Sequence, residues 1–121
     1  MGTITSHRDL VVWQKGMDLA VQVYRLTSQF PRSEMYRLTA QLTRAVASVP
    51  ANIAEGSARG SRRDYANFLA IAKGSLMETE TFLTLAVRLL YLTKEEAAPS
   101  FSLITEMSKM LTALRRRLLE G

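Results

Sequence analysis

A chain of 121 residues and 13.6 kDa has the size of one domain, about 100 to 150 residues, so residues 1–121 are read as a single unit. Its 47% apolar and 22% charged residues fit a globular fold, and no apolar run approaches the roughly 18 residues of a membrane span. Zero cysteines and a single histidine, His7, exclude disulfides, iron–sulfur clusters, thiolate zinc sites and a Cys nucleophile, and leave too little for a histidine metal cluster or a Ser-His-Asp triad. No catalytic, metal or cofactor residue is therefore expected. Met1 to Asp9 lacks the basic-then-apolar layout of a signal peptide; residues 1–9 are expected to be poorly ordered and the chain cytoplasmic.

Sixteen basic residues, twelve of them arginine, face eleven acidic ones for a net charge of +5. Residues 1–63 carry nine basic and four acidic side chains, while residues 64–121 carry seven of each. A basic excess attracts polyanions, nucleic acid among them, although many soluble proteins carry one without such a partner.

No segment alternates apolar and polar residues over strand length, so the chain reads as all helix. The first helix is predicted from Leu10 to Gln29, closed by Phe30-Pro31 because proline cannot continue the hydrogen-bond ladder. Val12, Trp13, Met17, Leu19, Ala20, Val23, Tyr24 and Leu26 share one side of it. That arc spans nearly half the circumference, more than the stripe of about 100° a surface helix needs. The second helix is predicted to start with Ser33 as its N-cap and to bury Met35, Leu38, Leu42, Ala45, Val46, Val49 and Ile53. Pro50 lies inside this pattern, freeing the carbonyl of Val46, and is expected to bend the helix rather than end it. Ala40, Ala47, Ala51, Ala54 and Ala58 lie opposite the core stripe, either to let another helix approach or simply as good helix formers facing water.

Ser57 to Ser61 is the clearest turn, with Ser61 capping a third helix. Tyr65, Leu69, Ala72, Leu76, Thr79, Leu83, Ala86 and Leu90 then repeat in four-three alternation, the strongest periodic signal present. Phe68, Ile71, Phe82 and Leu89 widen its arc. Thr93-Lys94-Glu95-Glu96 reads as a capping box that opens a fourth helix carrying Ile104, Met107, Leu111, Leu114 and Leu118. Short connections imply an antiparallel, up-down-up-down four-helix bundle, with a three-helix bundle and a loose terminal segment as the alternative. Wide arcs on the first and third helices, with Met77 and Leu85 on the polar side of the third, predict a homo-oligomer.

Arg59, Arg62 and Arg63 cluster at the second turn, and Arg37 and Arg44 lie seven apart on the second helix. Guanidinium donates two parallel hydrogen bonds to phosphate, which makes these five the candidate nucleic-acid contacts; the competing reading is a solvated face with local pairs such as Arg63 beside Asp64. Arg115-Arg116-Arg117 points its side chains about 100° apart and suits the C-terminal helix dipole. Asn52 and Glu55 flank the proline and are assigned to the backbone groups it frees, or alternatively to a channel lining. Trp13, Tyr24, Tyr65 and Phe68 are read as core rather than base-stacking platforms. Glu78 and Glu80, two apart, form no facing pair, and Gly56 to Gly60 lacks a phosphate-loop spacing.

Three segments resemble a known family. Arg8 to Lys15 is similar to an "RDLxVWQKA" signature, with Gly16 in place of its alanine; Ser48 to Gly56, including Pro50, Asn52, Glu55 and Gly56, is similar to "S[IV]PxNIAEG"; Phe68 to Leu76 with Glu78 is similar to "FLxIAxGSLxE". The family is the four-helix-bundle proteins linked to 23S rRNA intervening sequences. The resemblance implies a homopentameric ring, a distant likeness to accessory proteins of diversity-generating retroelements, and a nucleic-acid role. It carries over no catalytic residue. Expected partners are other copies of the chain, RNA or DNA, or a nucleic-acid-processing protein; a purely protein-binding scaffold is the alternative function.

Overall fold

The computed structural model describes residues 6–120. Four helices dominate it: α1 Val11–Thr27, α2 Leu38–Ser57, α3 Arg62–Arg88 and α4 Lys94–Glu120, with no strand among the described residues. Of the leader expected to be loose, Met1 to Thr5 lies outside the described residues, and His7–Asp9 forms a 3-10 turn capped by Ser6. The His7 ring meets Trp13 edge-on at 5.0 Å.

Each helix touches two others: α1 and α3 both pack on α2 and on α4, with α2 against α3 the most extensive contact and no diagonal contacts among the described residues. Lys15 pairs with Glu106, and Ser100 donates to Gln22 at 2.8 Å, so numbers rise on α1 as they fall on α4. The same opposite order holds for α3 and α4, where Arg62 reaches Leu118 and Lys73 reaches Thr112. Every predicted stripe feeds one core: Leu19 and Val23 of α1, Leu42, Val46, Val49 and Ile53 of α2, Leu69, Leu76 and Leu83 of α3, and Ile104, Met107 and Leu111 of α4. Truncating any of these leucines to alanine costs about 2 to 5 kcal/mol, because the transfer free energy is lost and a cavity remains.

The caps follow local chemistry. Ser61 Oγ accepts from Asp64 N at 3.0 Å, and Thr93 and Glu96 cap each other reciprocally at 3.0 and 2.9 Å. The start of α2 differs from expectation. Arg32–Glu34 forms a separate 3-10 turn and α2 begins at Leu38, whose N–H is accepted by Glu34 Oε1 at 3.2 Å. Ser33 therefore caps nothing in α2, and Met35 is half exposed instead of in the core. The α3 stripe also ends early. Leu90 lies beyond the helix with φ 64° and is 88% exposed, while Tyr91 N and Leu90 N donate to the carbonyls of Ala86 and Val87 at 3.0 Å. This pair of bonds is a Schellman closure, which usually places glycine where Leu90 sits.

The helix α2 is continuous through Pro50, which is buried against α1. Ala47, Ala51 and Ala58 are exposed and Ala40 and Ala54 are partly buried, so that side of α2 carries no fully buried seam. On α1, Met17 and Tyr24 are 42% and 54% exposed: the apolar arc is wider than α2 and α4 together can cover, and Tyr24 is not a core residue.

Candidate nucleic-acid interface

The five candidate arginines do not form one surface. Arg59, Arg62 and Arg63 sit at the α2–α3 turn, whereas Arg37 precedes α2 at the opposite end of the bundle. At about 1.5 Å per helical residue, the 22 residues from Arg37 to Arg59 span about 30 Å. Arg44 lies between them, exposed, beside a small recess that it shares with Gln41, Ser48, Ser75 and Glu78.

Two of the turn arginines are occupied. Arg62 donates through Nε to the carbonyl of Leu118 at 3.0 Å and through NH2 to that of Arg117 at 2.7 Å, satisfying two of the carbonyls that the end of α4 leaves without helical partners. Arg59 Nε is 3.3 Å from Glu55 Oε2, and its guanidinium stacks 4.8 Å from the centre of the Phe68 ring. Arg63 is exposed and forms no ion pair with Asp64.

The contacts of Arg62 have a consequence that spacing along one helix does not reveal: they bring the end of α4 to the start of α3. Arg115 Nε reinforces this by donating to the carbonyl of Ala66 at 3.2 Å. One end of the bundle thus gathers Arg59, Arg62, Arg63, Arg115, Arg116 and Arg117 against Glu55, Asp64 and Glu120. The arginine triplet, unable to form a patch alone, joins one supplied by another element. The signal that would have found it is topological: in an up-down bundle the α2–α3 turn and the end of α4 share an end.

The segment around the proline is structural in its contacts. Asn52 Nδ2 donates to both the carbonyl and Oγ of Ser48 at 2.8 Å, Ser48 Oγ lies 2.9 Å from Ser75 Oγ, and Thr79 Oγ1 donates to the carbonyl of Ser75 at 2.9 Å. Asn52 therefore binds Ser48 rather than the Val46 carbonyl that Pro50 frees, and Glu55 turns to Arg59. Gly56 is buried where α2 meets α3. A Cβ there would stand 2.8 Å from Phe68 Cβ and 3.0 Å from Tyr65 Cδ1, so the missing side chain sets how closely the helices approach.

Three of the four perturbed titrating groups among the described residues lie at the other end of the bundle. The hydrogen bond from Tyr91 Oη to Glu34 Oε2, 2.8 Å long, and the Leu38 N–H hold the Glu34 carboxyl below the usual range, and the same bond raises Tyr91. Glu96 is lowered by the Thr93 N–H it caps. Burial raises Tyr65, which packs beside Gly56. No group of three His, Asp or Glu side chains is placed to hold a metal among the described residues, and no described helix is long and apolar enough to cross a membrane. An open groove of about 640 Å³ runs between α3 and α4 near the basic end, lined by Leu69, Gly74, Met77 and Leu119 together with Lys73, Arg116 and Glu120.

These features define a small all-α four-helix bundle with an arginine-rich end and helix faces left unpartnered. The chain belongs to the 23S rRNA-intervening sequence protein family, whose profile matches residues 8–113. A crystal structure of a protein of unknown function from the S23 ribosomal protein family of Bacteroides thetaiotaomicron VPI-5482 has the same architecture: TM-score 0.78 and 30% identity over 87% of this chain and 98% of that one. No curated protein matches the chain.

Proposed function

We propose that this protein is a non-enzymatic, homo-oligomeric adaptor of the cytoplasm that holds RNA or DNA by its phosphates at the arginine-rich end. The observation that carries the reading is the joining of the α2–α3 turn to the last turn of α4 through Arg62, which collects basic side chains from two distant segments. Arg62 is committed to two carbonyls, whereas Arg59 keeps a half-exposed side chain beside Glu55, so Arg59, Arg63 and Arg117 are the proposed contacts; Arg37 and Arg44 drop out by position. The names of the family and of its relative, which refer to 23S rRNA and to ribosomal protein, favour a nucleic-acid partner. The pentamer remains an implication of the family resemblance. Base-reading groups are scarce at this end, so binding is weakly sequence-selective and strongly salt-dependent.

The test is a titration of labelled structured RNA and duplex DNA at low and moderate salt. The expected result is low-salt binding that weakens steeply with salt, and a markedly weaker Arg59→Ala/Arg63→Ala/Arg117→Ala variant whose dependence on log salt is flatter by about 0.9 for each duplex phosphate it no longer neutralises. No binding at low salt, or unchanged binding by the triple variant, overturns the reading. The exposed apolar faces of α1 and α3 favour a second reading, a protein-binding scaffold that keeps its arginines as solubilising charge.

A further inference from the structure

Two of the segments singled out by their motifs, Ser48 to Gly56 on α2 and Phe68 to Glu78 on α3, face each other across one seam. The helices run antiparallel there, since Gly56 lies against Phe68 while Ser48 Oγ stands 2.9 Å from Ser75 Oγ. From that hydroxyl pair, α2 reaches Arg44 one turn earlier in the sequence and α3 reaches Glu78 one turn later. The two charges therefore stand at nearly the same height on facing walls. Between them lies a recess of about 150 Å³, lined by Gln41, Arg44, Ala45, Ser48, Ser75 and Glu78. Ala45 is buried and brings only a methyl group to the lining.

The polar groups of this recess are not spent on one another. Arg44 and Glu78 are both exposed and form no ion pair. Below them, Ser75 is only 7% exposed, and a count of hydrogens shows what its hydroxyl leaves open. The Ser48 and Ser75 hydroxyls own two hydrogens, their mutual bond uses one, and Asn52 Nδ2 brings its own hydrogen to Ser48 Oγ at 2.8 Å. Neither hydroxyl makes a further hydrogen bond among the described residues. One O–H is thus left over, whichever serine donates to the other. A donor at such depth is unfavourable without an acceptor, and the recess is the open space beside it.

Size and charge together define what fits. The recess exceeds the about 10 to 15 Å³ that one water needs and falls short of the roughly 300 Å³ at which sites for drug-sized ligands begin. A ligand of few atoms is the match. The guanidinium and the spare O–H call for a carboxylate, while the Glu78 carboxylate on the opposite wall calls for an ammonium. We propose that this recess binds a small zwitterion, a free α-amino acid with little or no side chain, its carboxylate on Arg44 and the serine O–H and its ammonium on Glu78. Gln41 adds an amide that can serve either group. The site lies away from the arginine-rich end and is independent of the nucleic-acid reading.

Half-ligands separate the possibilities. The isotopically labelled full chain is titrated with glycine, with acetate, which carries only the anionic half, and with methylammonium, which carries only the cationic half, while amide shifts are followed by two-dimensional NMR. Saturable shifts centred on Arg44, Ser48, Ser75 and Glu78 are expected with glycine at millimolar concentration. Each half-ligand lacks one charge-assisted hydrogen bond and is expected to bind about tenfold more weakly. Glu78→Gln should bring glycine down to the level of acetate, and Arg44→Gln should bring it down to that of methylammonium, a change of preference that a merely structural side chain does not produce. Both positions are exposed, and the rest of each spectrum verifies the fold. No saturable shift with glycine leaves the recess to water and overturns the proposal. So does glycine binding no better than one of its halves, or either variant keeping the wild-type affinity.

Discussion

Gly56→Ala is expected to destabilise the protein although alanine is the better helix former. Within α2 the substitution gains about 1 kcal/mol from reduced backbone freedom in the unfolded chain. Against this, the new methyl stands 2.8 Å from Phe68 Cβ and 3.3 Å from the carbonyl oxygen of Tyr65. Both atoms are fixed by the α3 backbone, so no rotamer change relieves the contact and the helices themselves must separate. Overpacking of this kind costs about 1 to 3 kcal/mol. Because both fixed contacts lie at the seam of the most extensive helix pair, the upper part of that range applies, and the net loss is about 1 to 2 kcal/mol. For a chain of 121 residues this lowers Tm by about 4 to 8 °C. Urea unfolding followed by circular dichroism reads it as a lower midpoint with an unchanged slope. Gly16→Ala is the comparison: its Cβ would meet Pro50 Cβ at 3.3 Å and the mobile Met107 Cε at 3.4 Å, so its midpoint should stay within about 0.5 kcal/mol of wild type. A Gly56→Ala variant as stable as wild type would refute the claim that this glycine sets the α2–α3 approach.

Further expectations concern the caps and the loop end. Leu90→Gly removes the cost of a left-handed leucine at φ 64° and should raise stability by about 1 kcal/mol, seen as a higher Tm; a lower Tm would count against it. Thr93→Ala leaves the Glu96 N–H without its 3.0 Å acceptor and should lower the urea midpoint by the equivalent of about 1 kcal/mol. The Glu34 carboxyl is held below its ordinary value by Tyr91 and by the Leu38 N–H. Its contribution is therefore fully present above the unfolded glutamate value of about 4.3 and is lost as pH falls through the lower folded value. The gap in stability between wild type and Glu34→Gln should accordingly shrink as pH is lowered from 6 to about 3; a gap independent of pH would show that the Glu34 carboxylate contributes nothing through its charge.

What the sequence disclosed depended on the range of the interaction. Caps are local, so Ser61 and the Thr93–Glu96 pair could be read from spacing alone, as could the core positions from Leu42 to Ile53 and from Leu69 to Ala86. The start of α2 was not legible from Ser33 and Glu34, because the carboxylate serves a backbone N–H four residues on and a 3-10 turn intervenes. Leu90 continues the heptad by number but leaves the helix by dihedral angle, which periodicity does not register. The basic site was half legible. Arg59, Arg62 and Arg63 are neighbours in sequence; Arg37 is seven residues from Arg44 by number yet precedes α2 at the other end of the bundle, since a helical wheel keeps angle and discards length. Arg117 belongs to the site through a tertiary contact, Arg62 to its carbonyl, for which sequence has no local sign.

The hydroxyl seam of Ser48, Asn52, Ser75 and Thr79 acts as a vernier between α2 and α3. Leucine and valine stripes are nearly indifferent to sliding: displace one helix by a turn, about 5.4 Å, and apolar side chains again meet apolar side chains. The Ser48–Ser75 bond at 2.9 Å is made in one register only, and a slide by one turn breaks it at a cost of about 0.5 to 1.5 kcal/mol. These two hydroxyls thus favour one pairing of turns over its neighbours. Through that alignment they also bear on how far Arg59 at the end of α2 stands from Phe68 on α3.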